Sequence, residues 1–201
     1  SAGTTVCNGS TGSSGSGTSE SPCFVAEATL ARIHVAQQKD LLIGVSGQIG
    51  LITMTQAKGK GGANAQPVMG SATAEGSVKV TLDIINAATN ERQQIAAPGQ
   101  VVFASRMQEL EVTVDSNDPD YWTEVTVNLI LDTTAAHHFN FIGVDLPQGD
   151  YDVKATFDLS SFVEIVGEDA AARAKVTLGP RMVTVQEVRA AKGSLTPLDP
   201  N

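Results

Sequence analysis

From Phe24 onward the apolar residues of this chain recur at every second position, and that period limits the accessible folds more than any other feature. Val78, Val80, Leu82 and Ile84 alternate with Lys79, Thr81 and Asp83. Leu110, Val112 and Val114 repeat the pattern against Glu109, Glu111 and Thr113, and Val125, Val127, Leu129 and Leu131 follow. Tyr151, Val153, Ala155, Phe157 and Leu159 then alternate with Asp152, Lys154, Thr156 and Asp158. Successive side chains of a strand point to opposite faces, so each run gives one apolar and one solvated sheet face. Further strands are expected at Thr29–Gln37, Leu41–Gln56 with a break at its glycines, Val101–Ser105, His137–Val144, Ala172–Leu178 and Met182–Ala190. Turn chemistry separates them: Lys58–Gly62, Ala97-Pro98-Gly99, Asn117–Asp120, Pro147–Asp150 and Gly179-Pro180. Nine or ten short strands with no convincing amphipathic helix imply a two-sheet antiparallel β-sandwich of jelly-roll or immunoglobulin-like type. The Ala-rich stretch Glu168–Lys175 is the one place where a turn or two of helix is expected.

The first 23 residues read differently. Cys7 and Cys23 bracket a run dominated by Ser, Gly and Thr, which marks residues 1–23 as an extended Ser/Gly-rich arm preceding a single sandwich domain over 24–201. Neither cysteine lies in a CxxC motif or near a His at metal-ligand spacing, so a disulfide closing the loop is expected over zinc or a redox motif. Asn8-Gly9-Ser10 matches the N-glycosylation acceptor pattern, which makes Asn8 a candidate glycan site. Beginning at Ser1 with no basic-then-apolar leader, the sequence reads as a mature, exported chain, placed outside the cell or on its surface.

Composition narrows the partners. The chain carries 22 acidic against 13 basic residues over 201 positions, a net charge of -9, and only 4% of it is aromatic. Neutralising phosphates takes clustered Lys and Arg, so nucleic acid and anionic lipid are excluded as expected partners. The longest uncharged apolar-rich stretch, Leu41–Ala57, is interrupted by Ser46, Gln48, Thr53, Thr55, Gln56 and three glycines. A bilayer span takes about 20 predominantly apolar residues, so no transmembrane segment is expected.

No constellation of residues points to catalysis. His137 and His138 are adjacent on an alternating segment and should face opposite sides of a sheet, so a shared metal ion would have to draw on His34 or acidic residues elsewhere. No G-x-S-x-G elbow occurs outside the Ser/Gly tract, and Lys58–Gly62 lacks the spacing of a phosphate loop. Glu109, Glu111 and Asp132 read as ordinary surface carboxylates. The densest polar cluster is Asp115, Asn117, Asp118 and Asp120, hard oxygen ligands for which calcium is the candidate ion, although Asp120 and Thr126 stand where an EF-hand loop from Asp115 needs Gly and Glu. The alternative is an acidic turn. Tyr121 and Trp122, next in the chain, are either a small recognition platform or a strand-start packing anchor.

Leu146-Pro147-Gln148-Gly149-Asp150-Tyr151-Asp152-Val153 resembles the L-x-x-G-x-Y-x-V element of bacterial immunoglobulin-like and fibronectin-like surface domains. The resemblance implies a tight turn feeding a strand whose Tyr packs at a sheet corner, in an extracellular sandwich used for adhesion, spacing or assembly. The two cysteines do not match the inter-sheet disulfide of antibody-type domains. A sandwich also has edge strands, and the uncharged Leu41–Gln56 is either a buried central strand or a surface covered by another chain. The expectation is a non-enzymatic structural subunit of a filament, pilus-like fibre or surface layer, a homo-oligomer or polymer joined through its N-terminal arm and sheet edges. The alternative is a calcium-dependent or carbohydrate-binding accessory module.

Overall fold

The computed structural model describes residues 5–12, 17–61, 69–113, 123–167 and 170–188, with side chains for 17–18, 31–58, 70–112, 125–167 and 170–188. Nine strands follow one another: β1 (Thr5–Gly12), β2 (Gly17–Val35), β3 (Lys39–Gly61), β4 (Met69–Asn86), β5 (Arg92–Ile95), β6 (Val101–Thr113), β7 (Thr123–Leu146), β8 (Gly149–Val166) and β9 (Ala171–Val188). They form two antiparallel sheets, one in the order β1-β9-β3-β7 and one in the order β2-β8-β4, with β5 and β6 sharing the outer edge of β4. The pairings nest: β4 with β5 and β6, β3 with β7, β2 with β8, β1 with β9. The chain is therefore one long antiparallel ribbon, doubled back at β4–β6 and wound into two facing sheets, which is the jelly-roll arrangement. Of the two sandwich types compatible with the sequence, this is the one formed.

Alternation supplies the core. Along β8 every second residue from Tyr151 to Leu159 is buried, and Val78, Val80, Leu82 and Ile84 of β4 face the same interior. The opposite wall comes from Leu41, Ile43, Val45, Ile49 and Leu51 of β3 and Val176 and Leu178 of β9. Each fully buried Leu, Ile, Val or Phe contributes about 1.5–3 kcal/mol, so this one cluster dominates the stability. A second, thinner cluster at the other end is built largely from alanines: Ala72, Ala74, Ala170, Ala172 and Ala174, with Val163 and Ile165. The alanine-rich stretch expected to turn into helix runs instead as strand from Ala171, because its alternate residues bury in this narrow end.

Six segments expected as separate short strands fuse in pairs, the run Val125 to Leu131 with His137–Val144 in β7 among them. Val101–Ser105 and the run beginning at Leu110 are both β6, which bulges opposite Val78 and Lys79. Gly179-Pro180, expected as a turn, is a bulge inside β9: Leu178 pairs with Ile49 and Arg181 with Gly47, so four residues oppose three. An extra residue shifts the inward phase, from Val176 and Leu178 before it to Val183 and Val185 after it. Leu41–Gln56 is continuous within β3, the central strand flanked by β9 and β7. Its glycines do not break it. A Cβ at Gly44 would stand 2.6 Å from the Thr184 hydroxyl and one at Gly50 would collide with that of Thr177, so the glycines admit threonines from β9. The Ser/Gly segment of the arm is also extended, with Thr5–Gly12 pairing to β9 and Gly17–Pro22 to β8.

Candidate functional site: the open edge of one sheet

β7 is the outermost strand of its sheet, 24 residues long. Near its end Ile142 exchanges two backbone hydrogen bonds with Ala97, at 2.8 and 2.9 Å, so the N–H and C=O of Ile142 point away from β3. The two-residue repeat aims the same groups of residues 126 to 140, even numbers only, out of the sheet. Among the described residues no strand pairs with them. This open ladder is about 48 Å long at 3.4 Å per residue.

Proteins that stay monomeric blunt such edges with Lys, Pro or bulges. β7 contains no Lys and no Pro, and its pairing with β3 is unbroken from Leu41 to Gly61. Its side chains are exposed on both faces: Ile130 to 57% on the outer face, and Leu129 and Leu131 to about 40% on the inner, where the opposite sheet does not cover them. Phe139, Ile142 and Val144 extend the exposed apolar surface along the strand.

Two polar side chains of β6 hold this overhanging strand from inside. Gln108, 5% exposed, accepts a hydrogen bond from the Thr53 hydroxyl at 2.6 Å, and its amide donates to the Thr55 hydroxyl and to the Leu129 carbonyl, both at 2.8 Å. Arg106 donates to the carbonyls of Leu51 and Leu131, at 3.0 and 3.2 Å, and to the Thr133 hydroxyl. Sequence reading missed both residues, since the bulge in β6 turns inward two polar positions that a regular alternation carried on from Val101 and Phe103 would expose.

The residues singled out from the sequence are dispersed. Asp115, Asn117, Asp118, Asp120, Tyr121 and Trp122 lie outside the described residues. Cys7 and Asn8 sit on β1 opposite Val176 and Lys175, and Cys23 lies in a bulge of β2, with their side chains outside the described set. His137 is half-buried and His138 exposed, as alternation requires. The Ser46 hydroxyl lies 2.9 Å from His138 Nδ1, and His138 Nε2 lies 2.9 Å from Asn140 Oδ1, a polar cross-strand row on the outer face. His34 instead pairs across strands with Asp150 at 2.6 Å, far along the fold from the other two. Glu109 and Glu111 line an open hollow with Gly70, Ser71 and Val166, and Asp132 is exposed on β7. Among the described residues no group of three His, Cys, Asp or Glu side chains converges on one point.

The turn at Pro147 has the geometry expected of a packed tyrosine. Tyr151 is 1% exposed, and its hydroxyl donates to the Pro147 carbonyl at 2.9 Å, tying the β7–β8 turn to the strand it feeds. Burial pushes its phenol pKa up. Beside it Arg32 grips Asp152 through Nε and Nη2, both at 2.7 Å, and the hydrogen bond holds the Asp152 carboxyl below its ordinary value.

Strand order and nested pairing thus define a jelly-roll β-sandwich in which, among the described residues, no strand covers the long edge of β7. No family model matches the chain, and no curated protein does. Among solved structures, that of infectious bursal disease virus strain Gx aligns at 9% identity over 94% of this chain with a TM-score of 0.15. The VP2 subviral particle of that virus aligns at 10% identity over 92% with a TM-score of 0.12. This chain spans less than half the length of either, 47% and 42%, and neither superposes closely enough to assign a relationship. Among the described residues no helix is long and apolar enough to cross a membrane.

Proposed function

We propose that this chain is a non-enzymatic structural subunit of an extracellular or cell-surface assembly, and that copies join by strand addition along β7. The observation that carries the reading is the open β7 ladder: among the described residues it is long, free of Lys, Pro and bulges, and exposes Leu129, Ile130 and Leu131 beside Asp132. A second copy fits it. Antiparallel pairing of two β7 edges about Thr133 sets Asn128 opposite His138, Ile130 opposite Ala136 and Asp132 opposite Thr134, so no like charges stand directly opposite and the two sheets become one.

The backbone supplies a clean test. The Thr134 N–H faces outward, so Thr134→Pro removes a donor that β3 does not use, whereas the same change at Thr133 would break the internal ladder. Wild-type protein is expected to sediment as dimers or larger species and to form ordered particles in electron micrographs, and Thr134→Pro to remain monomeric with an unchanged circular dichroism spectrum. A wild-type protein that stays monomeric at all concentrations, or a Thr134→Pro protein that assembles normally, refutes the proposal.

A further inference from the structure

The β9 half beyond the bulge carries two charges in inward phase: Glu187, which is ion-paired with Lys39 at 2.6 Å, and Arg181, for which no ion pair is formed among the described residues. Inner positions on either side of it are Leu178, Val183 and Val185, all in contact with the main core. The guanidinium lies 5.7 Å from the centre of the Phe157 ring, itself fully buried. Its Nε and Nη1 are buried, and neither has a hydrogen-bond partner. That leaves three N–H donors of a permanently charged group unanswered in the interior, an arrangement that persists in proteins when something completes it.

The bulge provides the access. Gly47 presents no side chain opposite Arg181, and Pro180 has no N–H to close the ladder. A pocket of about 210 Å³ opens there, lined by Arg181 together with Ser46, Gly47, Gln48, Pro180 and Met182 and by Ala136 of β7. Pockets that take drug-sized ligands run from about 300 Å³ upward, so this one suits a small ion or one side-chain head. No carboxylate lines it. A planar guanidinium backed by an aromatic face, at the base of an open pocket that its residue lines, selects an oxyanion.

We propose that Arg181 and the bulge pocket form a binding site for a single small oxyanion, a carboxylate or phosphate-type group. Two sources supply that chemistry: a free ion, or a carboxylate of a second copy of this chain, which carries a net charge of -9. The pocket borders β7 through Ala136, so the Arg181 resonance, which reports ion binding whether or not copies pair along β7, is what keeps this proposal distinguishable from the assembly proposal.

The test titrates the intact protein with inorganic phosphate and with acetate, against sodium chloride at matched ionic strength. It follows the Arg181 Nε–H resonance by ¹H–¹⁵N NMR, the melting temperature, and the sedimentation coefficient. A saturable shift of that resonance and a rise in melting temperature, in a protein whose sedimentation does not change, assign a free ion. Self-association that phosphate reverses, and that Arg181→Met lacks, assigns the carboxylate of a second copy. Arg181→Met is expected to fold, because it replaces an unpaired charge by an apolar chain of similar length, and to show no anion effect. Should it fail to fold, the wild-type NMR titration decides alone. No phosphate or acetate effect beyond that of chloride overturns the proposal. So does an unaltered anion effect in Arg181→Met, or new aggregation of that variant without any anion effect, which would make Arg181 a guard against edge pairing.

Discussion

Gln108→Leu removes the amide that spans the two sheets while nearly conserving volume, so packing is held and the loss isolates hydrogen bonding. Three bonds disappear, those to Thr53, Thr55 and the Leu129 carbonyl. At about 1 kcal/mol net each they account for about 3 kcal/mol. The Thr53 and Thr55 hydroxyls are 1% and 0% exposed, so they stay buried without their partner and add to the cost. The expected total is about 4 kcal/mol, a large part of the 5–15 kcal/mol that holds a domain together. In urea, with a slope of about 2 kcal/mol per molar, the unfolding midpoint should fall by about 2 M with the slope unchanged. Adding Thr53→Val and Thr55→Val should recover most of the loss, because no polar atom is then left unanswered. A Gln108→Leu protein within about 1 kcal/mol of wild type, or a triple variant no more stable than the single one, would refute the reasoning.

Three further outcomes are expected. Tyr151→Phe loses the bond to the Pro147 carbonyl and should cost about 1 kcal/mol by urea unfolding. Because burial raises the Tyr151 pKa, the unfolded chain releases that proton first; this contribution is complete below the ordinary phenol value near 10.0 and is lost as pH rises through the folded value, a loss that Tyr151→Phe should lack in alkaline melts. Gly143→Ala would press a methyl against Ile84 Cδ1 and should destabilise by about 1–3 kcal/mol, whereas Gly17→Ala, with nothing within 4 Å, should change stability by less than about 0.5 kcal/mol. Non-reducing peptide mapping should recover Cys7 and Cys23 as one cross-linked pair whose reduction costs on the order of 3 kcal/mol, and free thiols at both positions would count against the disulfide.

The alternation from Val78 to Ile84 and from Tyr151 to Leu159 was enough to place β4 and β8 and their inward faces, because a strand buried on one side writes its period directly into the residues. The same rule separated His137 from His138. Strand ends and the continuity of β6 and β9 were not legible. A bulge adds one residue and inverts the phase, which in a sequence looks the same as a turn between two strands. The β7 segment was divided for another reason: Asp132 to Ala136 are exposed, and what meets Thr133 from the opposite sheet is the Arg106 guanidinium, so nothing there selects an apolar period.

What the sequence determined by itself is therefore the class of layer, an antiparallel sandwich with its polar and apolar faces assigned, since that depends only on local geometry and on which side chains leave water. Which strands are neighbours was decided by the tertiary structure alone. Pairing partners such as β1 with β9 or β3 with β7 lie far apart in the chain, and backbone hydrogen bonds are the same for every residue but proline, so no local pattern encodes them. For the same reason the open edge of β7, the Gln108 clasp beneath it and the unpaired guanidinium of Arg181 emerge only when the ribbon is wound into two sheets and, among the described residues, no strand is added outside β7.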